Sequence, residues 1–286
     1  MRARMAPRRL VVLGHPIRHS LSPVLQLGAL SAAGLDVRYE AVDVTPDALS
    51  DVLGALGRDG AGGNVTMPHK AAVAAHGARL SDTAKRVGAV NTFWHDDGQL
   101  VGHNTDVDGV MATIRTLCPD GIAGARVVLL GAGGSAGAVL LALDMLGCHD
   151  ITIAARTRER AATLLEQVSV DADVRHLAEN NDETRQRAAT RALIADAALV
   201  INATPIGLTD ASMPIEPALL APGTAVFDLV YRRGGTPWVR ACLDRELRAE
   251  DGLRMLVEQG AAAFCCWFDR EPSRQAMWDA LGETRP

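Results

Sequence analysis

Short apolar runs alternate with helix-length amphipathic stretches along nearly the whole chain. LVVLG reads as a buried strand. Ser22 and Pro23 then serve as N-cap and first helical residue, and Gly34 stops that helix. VRYEAVDV alternates as a second strand, and Thr45 and Pro46 open a helix through DALSDVLGAL. GGNVTMP is a strand end running into a loop, and HKAAVAAHG a short helix stopped by its glycine. AVNTFW, HDDG and QLVGHN make a hairpin turning at Asp97 and Gly98. DVDGVMATIRTL reads as a connecting helix. ARVVLLGAGGSAGAVLLALDMLG follows as a buried strand, a glycine-rich turn and an apolar helix. DITIAAR and RERAATLLEQV repeat the strand and helix, AALVINAT and GTAVFDLVY add strands, and LRMLVEQGAAAFCCWF and PSRQAMWDAL close the chain as helices. Residues 171–191 are polar and rich in arginine and asparagine, a surface excursion with a helical part. Strands alternating with helices predict an α/β fold with a mainly parallel, doubly wound sheet.

Composition narrows the function classes. The 286 residues suffice for one large or two ordinary domains, and 48% hydrophobic with 22% charged residues suits a globular core. A formal net charge of −5 supplies no basic excess for a phosphate backbone, so nucleic acid is not an expected partner. The basic start MRARMAPRRL precedes an apolar run too short for a signal core, and Gly, Asp or Arg interrupts every candidate membrane span. Five cysteines lack paired zinc-ligand spacing and read as reduced thiols of a cytoplasmic protein; no metal site is expected.

The first chemical signal is Gly131-Ala132-Gly133-Gly134-Ser135-Ala136, between a strand and a helix. Gly131 permits a tight turn, Gly133 lets the backbone approach a pyrophosphate, and Ala136 allows close helix–strand packing, while the helix N-terminus offers unpaired N–H groups. The alternative is a tight turn in an ordinary α/β unit. The next strand ends Ala154-Ala155-Arg156-Thr157-Arg158, with Arg160 nearby and no carboxylate before Glu159. An NAD site would place an acid there to hold the ribose 2′-hydroxyl. Arg156 can instead fork onto a 2′-phosphate and Thr157 can donate to it, which points to NADP. A solvated basic helix start is the competing reading, stronger for Arg158 and Arg160 than for Arg156.

Four polar clusters mark strand ends in the first third, where open α/β sheets bind ligands. They are His19 to Pro23, Asn64 to Lys70, Gly88 to Thr92, and Asn104 to Asp106. Ser20 and Ser22 could hold a carboxylate, though Ser22 could equally cap its helix. Asn64, Thr66 and Asn91 offer short, stiff arms for hydroxyl groups. Lys70 and Asp106 are the pair with acid–base potential: a ketone receiving hydride needs a proton at its oxygen. A surface lysine and a helix-capping aspartate are the plainer readings of the same two residues.

The motifs HSLSP, NVTMPHK, GAVNT, GHNTD, GAGGSAG, INATPIGL, FDLVY and GLRMLVEQGAAAF, in this order and nearly end to end, resemble the shikimate dehydrogenase family. The resemblance implies reversible NADPH-dependent reduction of 3-dehydroshikimate to shikimate, on the route to aromatic amino acids. It implies an N-terminal α/β substrate-binding domain over residues 1–108, joined by C-terminal helices 249–286, and a Rossmann-like NADP-binding domain over 109–248. The active site would lie between the two. Ser20 and Ser22 would hold the substrate carboxylate, with Tyr231 on that side. Asn64, Thr66, Asn91 and Gln259 would bind substrate with Lys70, the acid–base group, and its partner Asp106. Gly131 to Ala136, Ala155, Arg156, Thr157 and Arg160 would hold the NADP phosphates and adenosine ribose. Asn202, Ala203, Thr204 and Leu229 would line the nicotinamide side, with Gly252 and Met255 against its ring. Ala155 stands where members often carry asparagine, and Arg232 to Gly235 stand where a proline is common. A homodimer is the expected assembly.

Rival readings remain. A quinate user or an aminoshikimate-type dehydrogenase would share these motifs; the serine at position 22 resembles the shikimate pattern rather than the threonine of some quinate users. A ligand sensor need not keep Lys70, Asp106 and the glycine turn together. A tetrahydrofolate dehydrogenase would want a longer, more aromatic groove than 3% aromatic residues suggest.

Overall fold

A computed structural model describes residues 6–76, 79–176 and 183–283. In chain order the elements are β1 (Arg9–Gly14), α1 (Ser22–Ala32), β2 (Arg38–Asp43), α2 (Leu49–Arg58), β3 (Gly62–Val65), α3 (Lys70–Ala75), β4 (Arg79–Leu80), α4 (Asp82–Val87), β5 (Thr92–Asp96), β6 (Gln99–His103) and α5 (Asp106–Leu117). Then follow β7 (Arg126–Leu130), α6 (Ala136–Met145), β8 (Asp150–Ala155), α7 (Arg158–Val168), β9 (Asp173–His176), α8 (Glu183–Leu193), β10 (Leu199–Asn202), β11 (Ala225–Asp228), α9 (Pro237–Leu243), β12 (Ala249–Glu250), α10 (Gly252–Phe268) and α11 (Arg274–Leu281).

The chain divides into two compact units. The first holds residues 1–109 and 256–286, the second residues 110–255. The return to the first unit was expected at residue 249. Residues 249–255 instead belong to the second, because Ala249 and Glu250 pair in parallel with β11 as an edge strand.

The first unit's sheet runs β2-β1-β3-β5-β6-β4. β1 pairs in parallel with β2 and β3, whereas β5 runs antiparallel to both β3 and β6. The hairpin turns at Asp97 (φ 49°) and Gly98 (φ 75°), the left-handed pair that a two-residue connection requires. One core of this unit gathers Val11, Leu13, Leu53, Leu56, Val65, Val73 and Phe93. α1 packs beside α11, and Trp267 of α10 donates its indole N–H to the Phe93 carbonyl at 3.1 Å. The second unit's sheet, β12-β11-β10-β7-β8-β9, is parallel throughout, as the strand–helix alternation predicts. Its strands are apolar runs because a parallel sheet is covered on both faces; Val128, Val200, Val226, Trp238 and Leu247 share one core.

Two local expectations change. The N-cap of α1 is Leu21, not Ser22, and no side chain caps this helix; the Ser22 N–H is taken by the Ser20 hydroxyl at 3.3 Å. Thr45 and Pro46 open a 3-10 turn, Pro46–Ala48, ahead of α2. Gly77, read as the stop of α3, and residues 177–182 of the polar excursion lie outside the described residues; α8 supplies its helical part. All five cysteines are free, and burial pushes the Cys148 thiol up to about 11 and Cys242 to about 12.

Candidate functional site

In the first unit the polar clusters converge on one network. Lys70 is the first residue of α3, and its carbonyl accepts the Val90 N–H at 2.9 Å, fastening the helix start to the segment that leads into β5. Asp106 is the first residue of α5. The Asn104 side chain receives the Asp106 N–H at 3.1 Å and donates to the Ala89 carbonyl at 2.9 Å. Asn104 thus does the capping work, which leaves both Asp106 oxygens for other partners. Oδ2 meets Lys70 Nζ at 2.5 Å, and Oδ1 accepts from Asn91 Nδ2 at 2.8 Å. The two side chains are 19% and 7% exposed, so this ion pair is neither a solvated surface pair nor sealed from a ligand.

Asn91 is the hub. Its Oδ1 accepts from the Thr105 N–H at 2.7 Å and from the Thr92 hydroxyl at 3.0 Å, and its Nδ2 faces Gln259 Oε1 at 3.3 Å. Gln259, on α10, is therefore brought to the same cluster. Thr66 is half-buried at the end of β3, with its backbone N–H on the Leu13 carbonyl at 2.8 Å. Ser20 and Ser22 are half-buried at the head of α1.

Asn64 differs from the expectation. It is 5% exposed, its Nδ2 donates to the Asn91 carbonyl and the Thr92 hydroxyl, both at 3.1 Å, and its Oδ1 accepts the Tyr39 hydroxyl at 2.7 Å. These bonds make it a support for Asn91 rather than an arm for a ligand. Tyr39 itself was not read as a site residue. The available signal was an aromatic with a polar tip at the one buried position of β2.

In the second unit, Gly131 at φ 97° turns the chain out of β7, and its N–H donates to the Ala154 carbonyl at 2.8 Å. A Cβ there would lie 2.9 Å from Thr204 Cγ2 and 3.1 Å from the Ala203 oxygen. A Cβ on Gly133 would meet only the Ala203 oxygen, at 3.5 Å, and one on Gly134 nothing within 4 Å. Gly133 and Gly134 are exposed, Ala132 and Ser135 half-buried, and Ala136 is buried against the sheet. The Ala136 N–H at the start of α6 is taken by the Gly133 carbonyl at 3.0 Å, and no side chain caps the helix. The arrangement fits a dinucleotide pyrophosphate. At the end of β8, Ala155 is buried while Arg156, Thr157 and Arg160 are exposed. Thr157 is the N-cap of α7 without a capping hydrogen bond, which leaves its hydroxyl for a ligand.

Asn202, at the end of β10, is buried. Its Oδ1 accepts from the Thr204 N–H at 3.0 Å and hydroxyl at 2.6 Å, and its Nδ2 donates to Asp228 at 2.9 Å. Asp228, at the end of β11, also accepts from Thr236 at 2.8 Å and from the Val230 N–H at 3.1 Å. Burial raises its pKa, partly offset by these donors. Asp228 and Thr236 were missed in the sequence, although both belong to the FDLVY-to-TP stretch. Ala203 and Thr204 are half-buried, and Leu229 is half-buried beside them in sequence to Asp228. Gly252 is forced by packing, since a Cβ would lie 2.2 Å from the Leu229 oxygen. Met255 is 9% exposed, and Tyr231 is half-buried with its phenol pKa raised by burial.

Comparisons with known proteins agree with this geometry. The family model for the shikimate dehydrogenase substrate binding domain matches residues 12–93, and that for the shikimate 5′-dehydrogenase C-terminal domain matches 252–281. The saccharopine dehydrogenase NADP binding domain matches 127–254. Shikimate dehydrogenase (NADP(+)) of Mesorhizobium japonicum is 38% identical over 278 residues, 96% of each chain. The crystal structure of the Thermus thermophilus shikimate 5-dehydrogenase with NADP(H) and shikimate is 35% identical, with a TM-score of 0.79 over 96% of this chain and 98% of that one. A 5-ketofructose reductase of a Gluconobacter strain is 29% identical, with a TM-score of 0.84 over 96% and 98%.

Proposed function

The chain belongs to the shikimate dehydrogenase family, and we propose from that premise that it interconverts 3-dehydroshikimate and shikimate with NADP as the redox partner. The observation that carries this reading is the Lys70–Asp106 contact of 2.5 Å, set among amides and hydroxyls that suit a polyhydroxylated ring. When bound, NADPH supplies the hydride to the ketone carbon. The Lys70 ammonium then gives a proton from Nζ to the carbonyl oxygen, so that C=O becomes CH–OH; in the oxidative direction Nζ takes the hydroxyl proton back. Asp106 holds Nζ in place and keeps the proton there until the oxygen develops charge. Thr66, Asn91 and Gln259 orient the ring through its hydroxyls, and Ser20 and Ser22 take the carboxylate. Arg156 and Thr157 hold the 2′-phosphate, with Arg160 adding charge. Gly131 to Ala136 receive the pyrophosphate, and the Asn202–Asp228 bond fixes Ala203 and Thr204 for the nicotinamide ribose.

The same proposal makes the protein a cytoplasmic enzyme of aromatic amino-acid biosynthesis and a homodimer. Among the described residues no helix is long and apolar enough to cross a membrane, and two-fold assemblies are the commonest kind. The test is an absorbance assay at 340 nm with shikimate, quinate and fructose-type alcohols, each with NADP and with NAD. Shikimate with NADP should give the highest kcat/KM. A higher value for quinate with NAD, or for a reducing-sugar alcohol, overturns the assignment.

A further inference from the structure

Tyr39 lies on β2, at the edge of the sheet, and is 4% exposed. Its ring packs beside Trp267, centroids 6.2 Å apart. Its hydroxyl has two side-chain partners, Ser22 and Asn64, and the second fixes the way it donates. Both Asn64 amide hydrogens are committed to acceptors, the Asn91 carbonyl and the Thr92 hydroxyl. The amide oxygen of Asn64 must therefore accept, and Tyr39 must donate to it. Thr92, having accepted from Asn64, donates to Asn91 Oδ1. That fixes the Asn91 amide with its nitrogen toward Asp106 Oδ1, while Oδ2 holds Lys70. A flipped Asn91 would set its carbonyl oxygen against the carboxylate and its NH2 against the Thr105 N–H and the Thr92 hydroxyl hydrogen. Donors thus run one way, from Tyr39 through Asn64, Thr92 and Asn91 to Asp106. Every member is buried: Thr92 is 0% exposed, Asn91 2% and Asn64 5%. Buried amides with no water to substitute keep a fixed orientation only if the whole network is satisfied.

We infer that Tyr39 is a positioning residue for the Lys70–Asp106 pair: its hydroxyl satisfies the buried Asn64 amide oxygen, and Asn64 in turn holds the Asn91 carbonyl and the Thr92 hydroxyl that keep the Asn91 amide N–H on Asp106. This inference rests on the acid–base role proposed above for that pair. Tyr39→Phe keeps the ring and its packing on Trp267 and removes both the donor to Asn64 and the partner of the Ser22 hydroxyl, so KM for shikimate is recorded beside kcat. Asn64 Oδ1 is then left buried without its donor, Asn64 shifts from the Asn91 carbonyl and the Thr92 hydroxyl, and the Asn91 amide that meets Asp106 is held less firmly.

The experiment compares the full-length wild type with Tyr39→Phe and, independently, Thr92→Val, which cuts the chain at a middle link. In both variants kcat for shikimate oxidation should fall about tenfold, the scale of one misdirected hydrogen bond to a charged group, while KM for NADP stays unchanged. The side-chain amide protons of Asn91, followed by NMR in the ligand-free protein, should exchange faster in both. A lower melting temperature with kcat and Asn91 exchange unchanged makes Tyr39 a packing residue and overturns the inference. Loss in Thr92→Val but not in Tyr39→Phe overturns it too. Should Tyr39→Phe fail to fold, Asn64→Asp, which keeps an oxygen for the Tyr39 hydroxyl but removes the donor to the Asn91 carbonyl and Thr92, takes its place: unchanged kcat and Asn91 exchange there overturn the inference. A wild type inert toward shikimate refutes the proposed function instead, and the exchange measurement still judges the chain.

Discussion

Gly131 and Gly133, two residues apart on one turn, should respond to the same added methyl in different ways. At Gly131 alanine must adopt φ near 97°, and its Cβ would press on the Ala203 oxygen at 3.1 Å and Thr204 Cγ2 at 2.9 Å. Left-handed strain costs about 1–3 kcal/mol, and crowding in a packed site adds roughly as much again. Gly131→Ala should therefore destabilise the second unit by about 2–6 kcal/mol, a drop of roughly 5–20 °C in melting temperature for a unit of this size. Gly133 has no such φ, and its Cβ would make an ordinary contact at 3.5 Å. Gly133→Ala should leave stability within about 0.5 kcal/mol. Its methyl would nevertheless stand where the backbone meets the pyrophosphate, so NADP affinity should fall by about tenfold or more, at least 1.4 kcal/mol. Thermal melts with and without NADP read both quantities, since a ligand at about 100 times its Kd protects by roughly 2.7 kcal/mol. Wild type gains that protection, Gly131→Ala melts early even without ligand, and Gly133→Ala melts normally yet gains about half of it or less. A Gly133→Ala protein that binds NADP like wild type, or that melts as early as Gly131→Ala, would refute the assignment of this turn.

Other expectations follow from the same contacts. Lys70→Ala should lower kcat by about 10²–10⁴ while shikimate still binds in calorimetry, because the lost group acts on a developing charge; unchanged turnover removes Lys70 from the chemistry. Arg156→Ala should raise KM for NADP by about tenfold, the lower end for a charge-assisted bond at an exposed side chain, and leave KM for NAD alone; equal effects on both cofactors would count against a 2′-phosphate contact. Burial raises the Asp228 pKa, so as pH climbs from about 4 the unfolded chain releases this proton before the folded one does, and stability falls across that window, then levels off. Asp228→Asn should lack this fall, and melts from pH 3.5 to 7 that show the same slope in both proteins would contradict it.

Much of this was legible in the sequence, because periodicity and glycine placement are local signals. The strand, turn and helix around Gly131 needed only their own residues to be read, and the Asp97–Gly98 hairpin likewise. Lys70 and Asp106 were nameable as a pair, but their contact depends on β3, β5 and β6 bringing two helix starts together. What escaped was long-range partnership. Asn64 looked like a free arm because nothing near it in sequence shows that Tyr39 and Thr92 consume its amide. Ser22 looked like a cap because the competing Ser20 hydroxyl obeys the same rule two residues earlier. Asp228 and Thr236 were passed over since a buried carboxylate in an apolar run has no signature until its donors are located.

The discontinuity of the first unit has a consequence for biosynthesis. Residues 110–255 must leave the ribosome before Gln259, Trp267 and α11 can join α1 and β5. The amino-terminal half therefore waits with an unfinished apolar flank while an entire nucleotide-binding unit is translated and can fold ahead of it. Nascent chains stalled before residue 256 should engage holding chaperones through that flank, and release should coincide with emergence of the last two helices.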